Sequence, residues 1–396
     1  MNNMKVEKAS TGALRSVLAL GLVSFFTDVS SDMCFSLLPD FILGLPGGTR
    51  AILGVVEGLA EGLSYSLRSV SGVLSDMFRR RKVMVLVGYA LSTVVKPLFA
   101  VARTPIDVLM VRVGDRVGKG IRTSPRDALL SESVSERRTG LAFGLHRALD
   151  QLGAILGPLL SSALMFFLNL TIREIFWVSF IPGFLAVLIL VIFVKERMGK
   201  CRGERLLIGV KTVLKGRFLL LLFIVGIFSI GAFNYSFVLL KARDVGIPET
   251  QVPIVYSVIQ VAHAAIAIPA GLLSDKIGRE KVLVMGYVTF LLSVFFLSLS
   301  FESFFYALLV AAVYGAYLGI VETVQRALVP GCAHGDLRGT AYGLYYLVVG
   351  ASFLVANTVV GALWEYVNLR AAASYSIVTS ILATVGMIVL LKIRRT

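Results

Sequence analysis

Apolar positions in this chain fall in long, nearly unbroken runs instead of the stripes that a soluble helix turns toward a core. About twelve such runs reach the ~20 residues needed to cross a hydrocarbon layer, at roughly 14–38, 48–71, 83–102, 106–125, 139–167, 174–194, 218–240, 252–274, 282–300, 304–325, 340–364 and 371–391. Lipid offers no partner for an unpaired backbone amide or carbonyl, so each run is expected to be an α-helix. The pattern predicts an all-α integral membrane protein. Composition agrees: of 396 residues 57% are hydrophobic and 16% charged, far from the balance of a soluble domain.

The polar breaks between runs carry the next layer of information. Lys and Arg crowd alternate breaks: the N-terminus, the Arg79-Arg80-Arg81-Lys82 run, the segment 195–217, Lys276 to Lys281, and the tail Lys392-Ile393-Arg394-Arg395. This alternation places both termini on the cytoplasmic side of a cell's inner (plasma) membrane, and it accounts for the net charge of +15 through the bilayer, with no nucleic-acid partner. The first run is too long for a cleaved signal peptide and is expected to remain. Cys34, Cys201 and Cys332 are scattered, with neither metal-ligand spacing nor a disulfide framework.

The segment 195–217 is the longest polar stretch and divides the runs six and six. We expect an N-terminal bundle over 1–194, a basic cytoplasmic connector over 195–217 and a C-terminal bundle over 218–396. The two bundles look like copies. GVLSDMFRRRKV at 72–83 recurs as GLLSDKIGREKV at 271–282, and the same offset relates Gly120-Ile121 to Gly319-Ile320 and Ala142-Phe143-Gly144-Leu145 to Ala341-Tyr342-Gly343-Leu344. Parallel six-helix repeats are the build of alternating-access transporters, which bind cargo near the midplane between the halves.

Three motifs carry a family resemblance. Gly72-x-x-x-Asp76-x-x-x-Arg80-Arg81-Lys82 resembles the loop 2–3 signature of the major facilitator superfamily, and Gly271-x-x-x-Asp275-Lys276-x-Gly278-Arg279 resembles its echo in loop 8–9. The resemblance implies two pseudo-symmetric six-helix bundles, with Gly72, Asp76, Arg80, Gly271, Asp275 and Arg279 in a cytoplasmic gate. Asp127 stands where it could pair with Arg80. In the fifth run, Gly144-(x8)-Gly153-(x3)-Gly157-Pro158-x-x-Ser161-Ser162 looks like the antiporter signature of drug:proton antiporters, two serines replacing a terminal glycine pair. That likeness implies export, with Gly153, Gly157 and Pro158 forming a close, bent helix contact. Arg116 and Gly120 match two places of the superfamily's fourth-span R-x-x-Q-G-x-G, which implies a part for Arg116 in proton coupling; Lys119 and Arg122 depart from it.

Those last residues belong to GDRVGKGIRTSPRD, 114–127. A phosphate loop is excluded, because its glycines are one residue too close and Gly120 stands where Ser or Thr would hold magnesium. Arg112, Asp115, Arg116, Lys119, Arg122 and Arg126 instead recur every three or four residues, one polar stripe along a helix. Other ionisable groups inside runs are functional candidates in the same way. Asp28 and Asp32, and Glu57 and Glu61, share helix faces at i, i+4; with Arg116, Arg147 and Asp150 they form the expected proton-coupling set. Static pairing of these acids with Arg68, Lys96, Arg112, Arg116 or Arg147 is the competing reading. Asp28, Arg112, Lys119, Asn234, Tyr235, Gln260, His263, Tyr314, Tyr317 and Glu322 are the candidate cargo contacts.

The sequence therefore predicts a monomeric secondary transporter that exports a small amphipathic molecule against protons, with the proton gradient as its energy source and no cofactor. Proton-coupled uptake of a metabolite, or transport of a divalent metal through Asp28 and Asn234, stands behind it. An enzyme is not expected: no G-x-S-x-G or H-E-x-x-H pattern is present, no resident metal set is apparent, and the breaks leave no room for a nucleotide-hydrolysing domain.

Overall fold

The computed structural model of the chain describes residues 2–78, 81–133, 139–194, 196, 210–299, 301–329 and 338–393. Among these, regular structure is entirely helical: α1 (Asn2–Phe35), α2 (Leu38–Leu43), α3 (Arg50–Phe78), α4 (Arg81–Val95), α5 (Pro105–Glu132), α6 (Thr139–Leu168), α7 (Ile172–Val178), α8 (Phe180–Phe193), α9 (Val210–Val213), α10 (Gly216–Ser229), α11 (Ser236–Asp244), α12 (Val252–Ile277), α13 (Arg279–Ser298), α14 (Phe304–Leu328), α15 (Arg338–Tyr366) and α16 (Leu369–Ile393), with short 3-10 turns at Lys96–Val101 and Glu249–Gln251. Nine helical stretches among the described residues are long and apolar enough to cross a membrane. Helices α3 and α5 are of spanning length but more heavily charged, and α10 is short and apolar.

Two expected single helices are broken. The run 174–194 divides at Ser179 into α7 and α8; Pro182 has no N–H to return to the carbonyl of Val178, so the helix cannot pass through without loss. The run 218–240 divides between α10 and α11. There Asn234 Oδ1 accepts the Ser236 N–H at 2.9 Å, and the Asn357 side chain accepts the Asn234 N–H at 2.8 Å. A side chain thus satisfies backbone that a continuous helix would have satisfied itself. Most of the connector expected over 195–217 lies outside the described residues.

By packing, the chain forms two compact units. The first comprises Met1–Phe35, Leu67–Ala102 and Met110–Arg205; the second comprises Ser36–Ser66, Arg103–Leu109 and Leu206–Thr396.

In the first unit α1 lies against α6 and α8. A methyl group on Gly153 would come 2.4 Å from the Phe25 carbonyl oxygen, and one on Gly157 2.6 Å from that of Val29. Bare glycine lets the two backbones touch, and Ser161 Oγ closes the contact by donating to the Met33 carbonyl at 3.1 Å. Ser30 Oγ likewise donates to the Ser179 carbonyl at 2.6 Å, tying α1 to the break before α8. An apolar cluster including Leu20, Val23, Val85, Tyr89, Leu130 and Leu190 fills the remaining space.

The second unit is cored by aromatic rings. Phe228 stacks on Tyr287 at 3.9 Å, and Phe290, Tyr317, Tyr314 and Phe233 continue the cluster at ring spacings of 4.7 to 5.9 Å. Within the same unit the first half of α3 runs along α15. Methyl groups added at Gly54 and Gly62 would meet the carbonyl oxygens of Asn357 at 2.1 Å and Gly350 at 3.1 Å.

The α1–α6 contact gives a direct prediction. Gly153→Ala lowers the thermal unfolding midpoint of the purified protein, at an overpacking cost of about 1–3 kcal/mol, whereas Gly144→Ala, whose new methyl meets nothing within 4 Å, does not. Equal midpoints for the two variants would contradict the packing described.

Candidate functional site

The charged face of the first unit is assembled from α1, α4, α5 and α6. Arg112 is wholly buried, and its guanidinium lies 3.7 Å from the centre of the Phe35 ring; Arg116, one turn on, lies 5.3 Å from the same ring. Arg122 covers the Tyr89 ring at 4.4 Å. Planar guanidinium groups are the cations best suited to lie on aromatic faces, which lessens the cost of holding them away from water. Asp115 accepts a short hydrogen bond from Ser92 Oγ, and it sits within reach of the charges of Arg116, Lys96, Arg112 and Arg122. Lys96, also wholly buried, donates to Ser31 Oγ at 3.1 Å. The stripe read from 112–126 therefore gathers its cations about Asp115 and the rings of Phe35 and Tyr89.

One turn of α1 and one of α6 bring together what the sequence kept far apart. Asp28 and Asp150 come together across the α1–α6 contact, close enough for each to act on the other. Ser24 Oγ donates to Asp150 Oδ1 at 2.5 Å and Arg147 Nη1 to Oδ2 at 2.7 Å. Asp32 and Lys119 are close enough for their charges to act on Asp28, and buried His146 feels Arg126, Asp150, Asp127 and Arg147.

The other expected coupling acids, Glu57 and Glu61, lie on the part of α3 that packs in the second unit. Glu57 is wholly buried there, Glu61 half-buried. Of the expected cargo contacts in this unit, Tyr314 and Tyr317 are buried in the aromatic core, Tyr314 Oη donating to the Phe233 carbonyl at 2.6 Å. Asn234 is engaged at the α10–α11 break. Tyr235 packs on Tyr256 at 4.6 Å, and Gln260 Nε2 donates to Tyr256 Oη at 2.9 Å; His263 is buried on α12. Glu322 pairs with Arg326 at 3.1 Å.

The expected gating residues are placed as follows. Gly72 and Asp76 fall on the last turns of α3, with side chains outside the described set, and Arg80 lies outside the described residues. Asp127 accepts from its neighbour Arg126, at 2.8 and 3.0 Å. Pro158 sits within α6, four residues before Ser162. Arg279 Nη1 donates to the Ala327 carbonyl at 2.7 Å and stands 3.9 Å from Asp275, while a methyl on Gly271 would meet Thr323 Cγ2 at 3.7 Å.

A second charged cluster has no counterpart in the sequence reading. In the second unit Arg50 pairs with Asp244 at 2.7 Å and Glu365 at 3.8 Å, Glu365 also accepts the Arg50 N–H at 3.0 Å, and Arg243 pairs with Asp40 at 3.3 Å. These residues come from the ends of four helices. Nothing in their spacing links them; the only signal was that each is a charge at the edge of an apolar run.

Long apolar helices, nine stretches of which can cross a membrane, with no strand among the described residues, are the architecture of a multi-pass membrane protein. The Major Facilitator Superfamily profile matches residues 20–241 and 219–396. The chain belongs to that superfamily. An uncharacterised MFS-type transporter of Methanocaldococcus jannaschii is 36% identical over 361 residues, covering 89% of both chains. An uncharacterised protein of Mycobacterium bovis is 26% identical over 374 residues, 92% of this chain and 90% of the relative. Among solved structures, the crystal structure of the nucleoside transporter NupG superposes with a TM-score of 0.78 at 13% identity, over 96% of this chain and 99% of that one. A POT family transporter in complex with 5-aminolevulinic acid gives 0.77 at 13% identity, over 95% of each. Likeness at such identity speaks for the fold alone.

The Arg50 cluster is partly exposed, so its strength should be modest. A double-mutant cycle between Arg50→Ala and Asp244→Ala, read by thermal unfolding, is expected to give a coupling of roughly 0.2–1 kcal/mol; additive effects would show that the contact contributes nothing.

Proposed function

We propose that this chain is a proton-coupled exporter: a twelve-span, monomeric secondary transporter of the inner membrane, both termini cytoplasmic, that exchanges protons for a small amphipathic organic molecule by alternating access. The observation that carries this reading is the Asp28–Asp150 pair. Two carboxyl groups stand side by side, with Ser24 and Arg147 donating to Asp150 and Lys119 near Asp28, an arrangement in which a proton on one of them offsets their like charge. A change in any of these neighbours alters the cost of keeping that proton, which is the property an exchange site needs. Export is supported by the fifth-run motif, whose Gly153 and Gly157 place α6 directly on the α1 segment that bears Asp28. That packing lets a movement of one helix be felt at the pair.

The proton gradient supplies the energy, so no further cofactor enters the cycle. Glu57 and Glu61 are secondary candidates for coupling, and Arg116 stabilises negative charge on the same side of α5 as Asp115.

The test uses everted membrane vesicles energised by respiration, with an acid interior reported by a quenched amine dye. Addition of an exported amphipathic compound from a panel of dyes and drugs is expected to release protons and restore fluorescence. Asp28→Asn and Asp150→Asn each abolish that response while purified, reconstituted protein still exchanges labelled compound for unlabelled across liposomes at equal pH. Proton release that survives in both variants would remove the pair from the mechanism.

A further inference from the structure

The aromatic residues of the second unit divide into two populations. Phe228, Phe233, Tyr287, Tyr314 and Tyr317 are buried and fill the core. A separate row on α3 and α15 is not filled in. Tyr342 stacks with Tyr346 at 6.2 Å and 25°, Tyr346 with Tyr65 at 5.9 Å and 28°, and Tyr65 with Phe353 at 6.1 Å and 23°, all four rings only part-buried. Tyr342, Tyr346 and Phe353 recur at four and seven residues, so one face of α15 presents them in line. Tyr65 reaches into that line because its helix comes close at Gly62 and Gly350, where a methyl on Gly350 would lie 3.0 Å from Tyr65 Cβ. The row is also held from behind. Tyr345 packs edge-on against Tyr346 at 5.3 Å and donates to Gln325 at 3.1 Å, and Tyr342 Oη donates to the Arg326 carbonyl at 3.2 Å.

Two features separate this row from ordinary lipid-facing aromatics. Tyr65 and Phe353 lie near the middle of α3 and α15, whereas aromatic belts sit at the ends of spans. The Glu322–Arg326 pair stands beside the row, with Tyr65 and Tyr346 close enough to act on Arg326, and its side chains are 34% and 36% exposed. An ion pair that open to its surroundings is costly in hydrocarbon and is expected only where water enters. Ring surface next to water and a charged pair is the composition of a pocket for an amphipathic guest.

We propose that Tyr342, Tyr346, Tyr65 and Phe353, edged by Glu322 and Arg326, form the cargo-recognition surface, and that the cargo carries a planar aromatic or heteroaromatic ring with a polar substituent. The inference rests on the small amphipathic cargo proposed above and narrows it. A row of rings, each near-parallel to the next, extends onto any flat ring whatever its pattern of donors and acceptors, while the ion pair reads the polar edge. Because the row joins α3 to α15, a bound ring also favours the arrangement in which those helices touch.

The experiment measures binding to purified full-length protein in detergent, without a gradient, by thermal shift and calorimetry. The probes are adenosine, proflavine and indole-3-acetate, flat rings that are neutral, cationic and anionic, each set against cyclohexanol, cyclohexylamine or cyclohexylacetate. At least one flat probe is expected to raise the unfolding midpoint while its saturated counterpart does not. Tyr346→Leu and Phe353→Leu are expected to weaken that probe about tenfold or more, and Tyr346→Phe, which keeps the ring, to bind more tightly than Tyr346→Leu. Folding of each variant is checked by its ligand-free midpoint and gel-filtration profile. Saturated counterparts that bind as well as the rings, no flat probe binding, or leucine variants that fold and bind unchanged would each overturn the proposal. Ring binding is read without a gradient and proton release in energised vesicles, so failure of the proton mechanism and failure of ring recognition give different results.

Discussion

A charge placed inside a membrane-spanning bundle must find its counter-charge in the protein, because neither water nor lipid will supply one. That requirement organises the first unit. Arg112 and Arg116 share the Phe35 ring, Asp115 lies among Lys96, Arg112, Arg116 and Arg122, and Ser92 and Ser31 complete the hydrogen bonding of Asp115 and Lys96. Removing one member of such a set leaves another uncompensated, which is why buried ionic groups are costlier to break than to lack. The Asp28–Asp150 pair differs, since it brings two like groups together, with Ser24 and Arg147 donating to Asp150.

The duplicated half solves the same geometry with neutral groups. At the offset that relates the repeats, Arg126 and His146 of the first unit correspond to Gln325 and Tyr345 of the second. There Gln325 donates to Tyr287 at 3.0 Å and accepts from Tyr345. The equivalent positions thus carry ionisable groups in one half and uncharged hydrogen-bonding groups in the other.

Small residues are the second organising element, at positions where two backbones approach within van der Waals distance. Gly153 and Gly157 bring α6 onto α1, and Gly54 and Gly62 bring α3 along α15. These contacts decide which side chains become neighbours. Asp150 reaches Asp28, and Tyr65 reaches Tyr346, because no side chain stands between the helices that carry them.

Much of this was legible before any coordinates. Hydrophobic run length and the repeat at 72–83 and 271–282 pointed to the helical membrane fold and its duplication, since lipid forces each span to satisfy its own backbone. The pairing of Arg147 with Asp150 follows from spacing along one helix. Breaks at Ser179 and near Asn234 were not legible, because hydropathy does not change there; proline chemistry and a side-chain cap make them. Nor were the Arg50, Asp244 and Glu365 cluster, the meeting of Asp28 with Asp150, or the distinction between buried Tyr314 and Tyr317 and part-open Tyr65 and Tyr346. Local sequence encodes what each helix must satisfy within itself, whereas contacts between residues more than a hundred positions apart depend on how the helices pack, and packing alone settled which acids meet and which rings stay part-exposed.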